Sequence, residues 1–363
     1  MQTCKRCIIN DNYPYTTFNN EGICSLCSSQ KQFTPKGEGE LLKIFQKVKN
    51  RKTQYDALVP LSGGKDSMYI LHLAVNVYKL NVLTMTYDNG LLSQLALDNI
   101  QRAIDITKVK HVFCKPDFEI QKKVYQNMLK LSGDFCGACD IATKANVLKV
   151  ANDFSIPIIL YGTSPLEEDS FVPDSIQDIR RFKYIMKQAG NLTKKEINNF
   201  LIYPNLNHFL HLYYKLTGRF SKEVNPLFYI DNPSDKEMGE IITRELGWQD
   251  DLSRKYSKHF DCIAEPLTNY IRNKIYGYER RICQYSNMVR RNEITREQAA
   301  NLYAEDKIET LPVNYPEILK HLGITEKDIE TAILNKPLKY ENHVSKMNKA
   351  FVKLMQLKRK ILN

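Results

Sequence analysis

Short apolar runs rich in β-branched residues recur along the first part of the chain, each followed by a longer stretch with helical spacing. Runs at 56–61, 81–87, 110–114 and 156–161 predict strands, and stretches at about 67–79, 92–106, 118–131 and 140–153 predict helices. Apolar strands separated by helices read as βαβ units, so the expected fold is α/β with a parallel sheet. Leu41 to Val48 predicts a helix ahead of the first strand, and Val224 to Ile230 a further strand. Ligands of such sheets sit outside the carboxyl ends of the strands. The positions to watch are therefore Asp88 and Asn89, Cys114 to Asp117, Gly162 to Ser164, and Pro226-Leu227. Between Pro165 and Ser221 the pattern loosens into helical pieces with many aromatics (Phe200, Tyr203, Phe209, Tyr213, Tyr214), as in an insertion or lid. From residue 235 the chain reads as helical, ending in a basic segment, Ser345 to Leu362, whose apolar stripe predicts a packing face. The expected divisions are 1–33, 50–234 with 165–221 as the insertion, and 235–363.

The first strand runs into Leu61-Ser62-Gly63-Gly64-Lys65-Asp66-Ser67, and a helical pattern leads out. A strand, a glycine-rich turn and a helix start present backbone N–H groups and a positive helix end to one point, which makes a phosphate cradle. Gly63 and Gly64 let the backbone approach, Lys65 adds a mobile cation, and Ser62 and Ser67 add hydroxyl donors. The spacing is not that of a Walker A loop, and no dinucleotide-binding GxGxxG stands here. Asp88, closing the second strand in Tyr87-Asp88-Asn89-Gly90, offers a carboxylate to a ribose or adenine edge, although Asn-Gly is equally a turn pair. In Tyr161-Gly162-Thr163-Ser164 the glycine admits a nucleotide close to the backbone. Phosphoryl chemistry calls for Mg²⁺. Asp66 or a member of Glu167-Glu168-Asp169 could hold it, and a solvated acidic loop suits the triplet as well.

Composition adds three constraints. The chain has 363 residues, 43% hydrophobic and 26% charged, which are ordinary globular values. No apolar run is long enough for a membrane span and no leader pattern opens the chain, so a cytoplasmic protein is expected. The net charge of +11 suits an anionic partner such as ATP, a nucleotide sugar, RNA or an acidic protein. Nine cysteines in such a chain argue for metal or catalytic use rather than disulfides. Cys4 and Cys7 form one C-x2-C, Cys24 and Cys27 another, and two such knuckles complete a tetrahedral Zn²⁺ site. The polar, turn-rich Asn10 to Gly22 between them predicts a ribbon hairpin, so residues 1–33 are expected to be a structural zinc ribbon. Cys136 and Cys139 form a third C-x2-C, just before a predicted helix and without a nearby second pair. Cys262 is its best third ligand; Cys114 and Cys283 are weaker, because free cysteines are often simply buried.

The loop resembles, residue for residue, the PP-loop (SGGxDS) of the ATP pyrophosphatase family, which holds the pyrophosphate half of ATP while a substrate oxygen attacks the α-phosphorus. The resemblance implies that Ser62, Gly63, Gly64, Lys65, Asp66 and Ser67, with Asp88, Gly162 and Thr163, bind the nucleotide, and that Lys65 and Asp66 are catalytic. Over its whole length the chain resembles the N-acetyl sugar amidotransferase family of bacterial surface-polysaccharide clusters, which act on acetamido sugars of the pseudaminic or legionaminic type. The matching pieces are the Cys4/Cys7/Cys24/Cys27 ribbon, Val59 to Ser67, Gly133 to Cys139, and a C-terminal block. That block comprises Asn269 to Lys274, Gly277-Tyr278, Ser286 to Arg290 and Ile294-Thr295-Arg296-Glu297, in which Thr295 and Gln298 also form a capping box. The resemblance implies adenylation of an acetamido sugar or nucleotide sugar and replacement of AMP by ammonia. No glutaminase signature stands in the chain, so a separate glutaminase subunit is expected to supply the ammonia. Arg272, Lys274, Arg280, Arg281, Arg290 and Arg291 could grip phosphates or a sugar carboxylate. A narrower resemblance, to the sulfur-inserting tRNA thiolases, implies instead an iron–sulfur cluster on Cys136, Cys139 and Cys262 and an RNA partner. A non-catalytic ATP-binding protein is the third class.

Overall fold

The computed structural model describes residues 2–13, 16–30, 33–51, 53–163, 179–201, 221–252, 260–335 and 337. The acidic triplet 167–169, most of the expected insertion and the basic C-terminal segment lie outside the described residues.

Five strands form one sheet: β1 (Ala57–Pro60), β2 (Val82–Tyr87), β3 (Lys110–Cys114), β4 (Ile158–Leu160) and β5 (Lys222–Val224), in the order β3-β2-β1-β4-β5. Every pairing is parallel, with Leu58 beside Leu83 on one side and Ile159 on the other. The expected α/β class is the observed one. Side chains alternate across the pleat. Val59, Val82 and Leu160 face a core shared with Ile70, Ile242 and Trp248, whereas Leu58, Leu83 and Ile159 face one shared with Val147 and Val150. Helices Glu38–Lys49, Lys65–His72 and Asp235–Leu246 cover the first face, and Cys136–Asp153 the second.

Local chemistry sets the helix ends. The Ser93 hydroxyl accepts the N–H of Ala96 at the start of helix Gln94–Thr107, and Asp117 accepts those of Glu119 and Ile120 ahead of Phe118–Ser132. Ser234 and Glu237 form a capping box, as do Thr295 and Gln298.

Three elements differ from expectation. The run from Val224 is a strand only to Val224, because Pro226 has no N–H to extend a ladder and the chain turns into a single 3₁₀ turn at Pro226–Phe228. The helix expected at 67–79 starts two residues earlier, at Lys65, and widens into a π-helical turn at Leu73–Val77. The helix expected from 140 begins at Cys136, so the third C-x2-C occupies its first turn rather than preceding it.

Beyond the sheet, helices Glu265–Tyr276, Arg280–Arg290, Arg296–Asp306, Tyr315–Leu322 and Glu326–Leu334 follow. One core unites Phe118–Ser132 with helix Ile179–Ala189 and the helices around 265–334. Another unites the N-terminal cysteine segment with Tyr278, Ile282, Tyr285 and Ala299. The ribbon therefore packs on the C-terminal helices.

Candidate functional site

The SGGKDS loop leaves the carboxyl end of β1, the middle strand of the sheet. Chain order steps from β1 to β2 on one side and later to β4 on the other, so a crevice opens where the order reverses. Gly63 has φ +82°, and a Cβ there would lie 2.4 Å from the carbonyl oxygen of Ala96. Only glycine fits that approach. The Gly63 carbonyl accepts hydrogen bonds from Trp248 Nε1 (3.1 Å) and Asn99 Nδ2 (3.3 Å), which pins the loop to the flanking helices. The Ser62 N–H donates to Ser67 Oγ (3.2 Å), Gly64 N–H to Ser62 Oγ (3.3 Å), and Ser67 Oγ to the Gly64 carbonyl (3.0 Å). Helix Lys65–His72 then begins, and its first backbone N–H groups have no helical acceptors.

Lys65 Nζ pairs with the carboxylates of Asp66 (3.3 Å) and Asp235. Burial opposes the ammonium, but those two carboxylates outweigh it and its pKa is raised. Lys65 is thus a fixed cation at the mouth of the loop. Gly162, just past β4, comes against Asp66; a Cβ on it would sit 2.9 Å from the Asp66 carbonyl. Ser62 to Ser67 and Gly162 are therefore brought together, and Thr163, beside them in sequence, is exposed. Asp88 follows β2, accepts the Gly90 N–H (3.0 Å) and pairs with Lys115 (3.5 Å).

Two groups near Lys65 carry no sequence signal. Asp261 Oδ2 lies 3.6 Å from the Cβ position of Gly64. Burial raises its pKa, against the nearby Arg280 charge and the Ser62 hydroxyl. The segment carrying it pairs antiparallel with Leu92, and the Asp261 carbonyl accepts the Ser93 N–H (3.0 Å). Glu293, whose pKa burial raises, lies within charge range of Asp235 and Lys65. Each reaches the loop from more than 160 residues away, which no local spacing could announce.

Cys4, Cys7, Cys24 and Cys27 are buried with their sulfurs all within 4.8 Å of one another. Thr3 bridges Asn10 and Phe18 bridges Cys24, both antiparallel, as a two-knuckle ribbon requires. Backbone N–H groups of Arg6, Cys7 and Cys24 donate to Cys4 Sγ (3.2–3.4 Å). Hydrogen bonds from Cys24 and Cys27 lower the Cys7 pKa to about 2, while those two thiols are raised. Four clustered, buried thiols with amide donors fit a tetrahedral metal ion.

Cys136, Cys139 and Cys262 share one neighbourhood: burial raises the Cys262 pKa well above the usual range, and Cys136 and Cys139 raise it further. Burial pushes Cys136 up to about 12. Asn89 Nδ2 donates to Cys139 Sγ (2.8 Å), linking these thiols to the end of β2. Among the described residues, however, the ribbon's four are the group drawn to within 4.8 Å. Cys114 ends edge strand β3, and Cys283 is buried in the ribbon-facing core.

The basic block is mostly committed to the protein itself. Arg272 Nε donates to Asp134 Oδ2 (2.8 Å), and Arg281 pairs with Glu265 (3.0 Å) and Asp306 (2.8 Å). Arg291 pairs with Glu293 (2.9 Å), and Lys274 lies 5.4 Å from the Tyr270 ring centre. Arg290 Nη1 is 3.9 Å from Cys7 Sγ. Arg280 is exposed and in charge range of Asp261.

Residues 253–358 match the family described as the C-terminal domain of WbpG-like LPS biosynthesis proteins. An uncharacterized protein of Methanocaldococcus jannaschii, MJ1599, is 26% identical over 149 residues, covering 40% of this chain and 53% of that protein. The chain thus spans about half the length of that relative. Similar solved structures include the U34-tRNA thiolase NcsA of Methanococcus maripaludis with its [4Fe-4S] cluster, at 16% identity, TM-score 0.34, and 90% and 99% coverage of the two chains. NMN synthetase from Francisella tularensis shows 14% identity, TM-score 0.30, and 61% and 90% coverage. No helix among the described residues is long and apolar enough to cross a membrane.

Proposed function

We propose that the protein is an ATP-dependent, AMP- and pyrophosphate-forming amidotransferase acting on an acetamido sugar. The observation that carries the nucleotide half is the SGGKDS loop at the switch point of a parallel sheet, with left-handed Gly63, helix-start Lys65, and Gly162 closing against Asp66. The match of residues 253–358 to an LPS biosynthesis family supports the sugar half.

In this reading the loop and the helix start hold the β- and γ-phosphates, and Lys65 offsets charge on the departing pyrophosphate. Asp66 would hold Mg²⁺, which would supply charge neutralisation at the phosphates. The carbonyl oxygen of the N-acetyl group attacks the α-phosphorus, pyrophosphate leaves, and an O-adenylyl imidate forms. Ammonia adds at the imidate carbon, AMP departs with the former amide oxygen, and an acetamidino group remains. An amide oxygen is a poor leaving group, and adenylation removes that obstacle. A separate glutaminase subunit would provide the ammonia, and the ribbon thiols would hold a structural Zn²⁺. Cytoplasmic placement follows from the use of ATP.

Purified protein with Mg·ATP, ammonium and candidate acetamido sugars should release pyrophosphate and exchange one sugar oxygen for NH by mass spectrometry. Lys65→Ala and Asp66→Ala should each abolish pyrophosphate release with the thermal transition intact. Release of ADP and phosphate instead would overturn the reading.

A second reading, a tRNA thiolase, would need Cys136, Cys139 and Cys262 to share a cluster; they lie in one neighbourhood, but their sulfurs are not drawn to within 4.8 Å of one another as the ribbon's are. Iron and sulfide in anaerobically purified protein, with salt-sensitive tRNA binding and sulfur transfer, would support it over the sugar reading.

A further inference from the structure

The peptide joining Gly63 to Gly64 is the part of the phosphate loop that local sterics hold least. Neither residue carries a Cβ, and Gly63 sits at φ +82°, so reversing the peptide meets little steric resistance. Its orientation nevertheless decides what an anion meets. A trans peptide points its C=O and N–H in opposite directions. One orientation offers an anion in the loop the Gly64 N–H, which attracts it. The reverse offers the Gly63 carbonyl, which repels it.

In the structure the carbonyl is turned inward. It accepts from Trp248 Nε1 (3.1 Å) and from Asn99 Nδ2 (3.3 Å), one donor for each lone pair. Both donors are buried, Trp248 at 3% exposure and Asn99 at 0%. The Asn99 amide has its own orientation fixed. Its Oδ1 accepts the Gln249 N–H (2.9 Å) and Arg102 Nη2 (2.6 Å), and its Nδ2 also donates to the Gln249 carbonyl (2.9 Å). Rotating that amide by half a turn would set acceptor against acceptor and donor against donor at every one of these bonds. The indole is held as firmly. Helix Asp235–Leu246 ends on left-handed Gly247, whose carbonyl accepts Arg102 Nε (2.9 Å), and the Trp248 ring lies 6.0 Å from that of Phe260. On the opposite side of the peptide, the Gly64 N–H makes a long bond to Ser62 Oγ (3.3 Å).

We infer that Asn99 and Trp248 are positioning residues for the pyrophosphate half of the nucleotide: by holding the Gly63 carbonyl inward they aim the Gly64 N–H at the anion. The inference rests on the ATP reading of the loop. Neither side chain touches a phosphate in this scheme, and both act through one peptide. The effect is confined to what binds at that N–H. Pyrophosphate and ATP should feel it, and AMP, which has no β- or γ-phosphate, should not.

The test is calorimetric titration of the full chain with inorganic pyrophosphate, Mg·ATP and AMP, in wild type, Trp248→Phe and Asn99→Asp. Trp248→Phe keeps an aromatic ring beside Phe260 and deletes the N–H donor. Asn99→Asp keeps an acceptor for Gln249 and Arg102 and sets a second acceptor against the Gly63 carbonyl. Trp248→Phe should weaken pyrophosphate and Mg·ATP by about fivefold to tenfold, as for the loss of one neutral hydrogen bond. Asn99→Asp should weaken them by at least as much, because its carboxylate repels the carbonyl. AMP affinity should stay unchanged in both, a split that a general loosening of the fold would not produce. Trp248 is the only tryptophan of the chain, so its indole N–H gives a single resonance by nuclear magnetic resonance. Linked equilibria are reciprocal, so bound pyrophosphate should slow exchange of that proton with solvent in wild type. That measurement decides the matter if neither variant folds. Equal losses for pyrophosphate and AMP, unchanged pyrophosphate affinity, or indole exchange indifferent to bound pyrophosphate would overturn the inference. If wild type binds neither Mg·ATP nor pyrophosphate, the reading of the loop falls and the clamp with it.

Discussion

Replacing Arg290 with methionine should weaken the metal binding proposed for the ribbon thiols, although Arg290 lies 283 residues from the cysteine it faces. The residue is 3% exposed, with Nη1 3.9 Å from Cys7 Sγ, and its guanidinium also donates to Asn287 Oδ1. Burial disfavours its charge, yet Cys283, Cys7 and Cys27 more than compensate, and its pKa is raised. A divalent ion with four thiolates is a doubly negative centre, and Arg290 is the buried cation beside it. One unit charge facing another at 3.9 Å is attracted by about 4 kcal/mol at an effective dielectric near 20. Much of that offsets the dehydration of the guanidinium, leaving about 1.5–3 kcal/mol, the usual worth of a charged hydrogen bond. Metal affinity should therefore fall about 10–100-fold, the range seen when outer-shell partners of metal ligands are removed. Competition against a chromogenic chelator at equilibrium reads this directly, and Arg290→Lys should recover part of it. Metal held by Arg290→Met as tightly as by wild type, with an unchanged circular dichroism spectrum, would refute the reasoning.

Two further outcomes follow from buried charges. Glu279 is fully buried with both carboxylate oxygens unpartnered, and burial, opposed by Arg281, pushes its pKa up to about 8. Its folded pKa exceeds the unfolded value, so its stabilising contribution is complete below about pH 4.5 and is lost as pH rises towards 8. Glu279→Gln should flatten thermal stability against pH across that window, and an unchanged slope would show the carboxyl to be ionised throughout. Asp134→Ala should cost about 3–5 kcal/mol in denaturant unfolding, because it strands Arg272 without its buried partner. Asp134→Ala with Arg272→Met should recover much of that loss, whereas a double variant as unstable as the single one would place the cost elsewhere.

The sheet was legible because parallel strands are buried on both faces and show as apolar β-branched runs; Leu58, Val59, Leu83 and Ile159 need no context to be read. The four-cysteine group was legible because its ligands come in two tight local pairs. Misreading began where one residue changed the backbone rules, as Pro226 did by ending β5 early. The Cys136 segment was misplaced because its helix opens on small residues, Cys136 to Cys139, and no side-chain cap marks its start. The arginines of the C-terminal block resemble anion ligands by type. Their partners, Asp134 for Arg272 and Cys7 for Arg290, lie 138 and 283 residues away. Pairing at that distance leaves no trace in spacing.

Those long-range pairings give the C-terminal region its place in the site. Arg296 Nε donates to the carbonyls of Cys4 (3.0 Å) and Cys7 (3.1 Å), and Gln30 Nε2 donates to the Arg290 carbonyl (2.6 Å), so two helix ends clasp the ribbon from outside. Between those arginines the turn carries Glu293 into charge range of Lys65 and Asp235. Upstream, the same region sends Asp261 to the Ser62–Gly64 turn and Cys262 towards Cys136 and Cys139. The loop leaves β1, and the groups around it include Asn99, Gly162, Asp235 and Trp248 as well as Asp261 and Glu293 from the C-terminal region. The helix ends that touch the ribbon thus flank the turn that carries Glu293. Residues 253–358, which match an LPS biosynthesis family, include Asp261 and Glu293, so the proposed acceptor would be held where that part of the chain meets the loop.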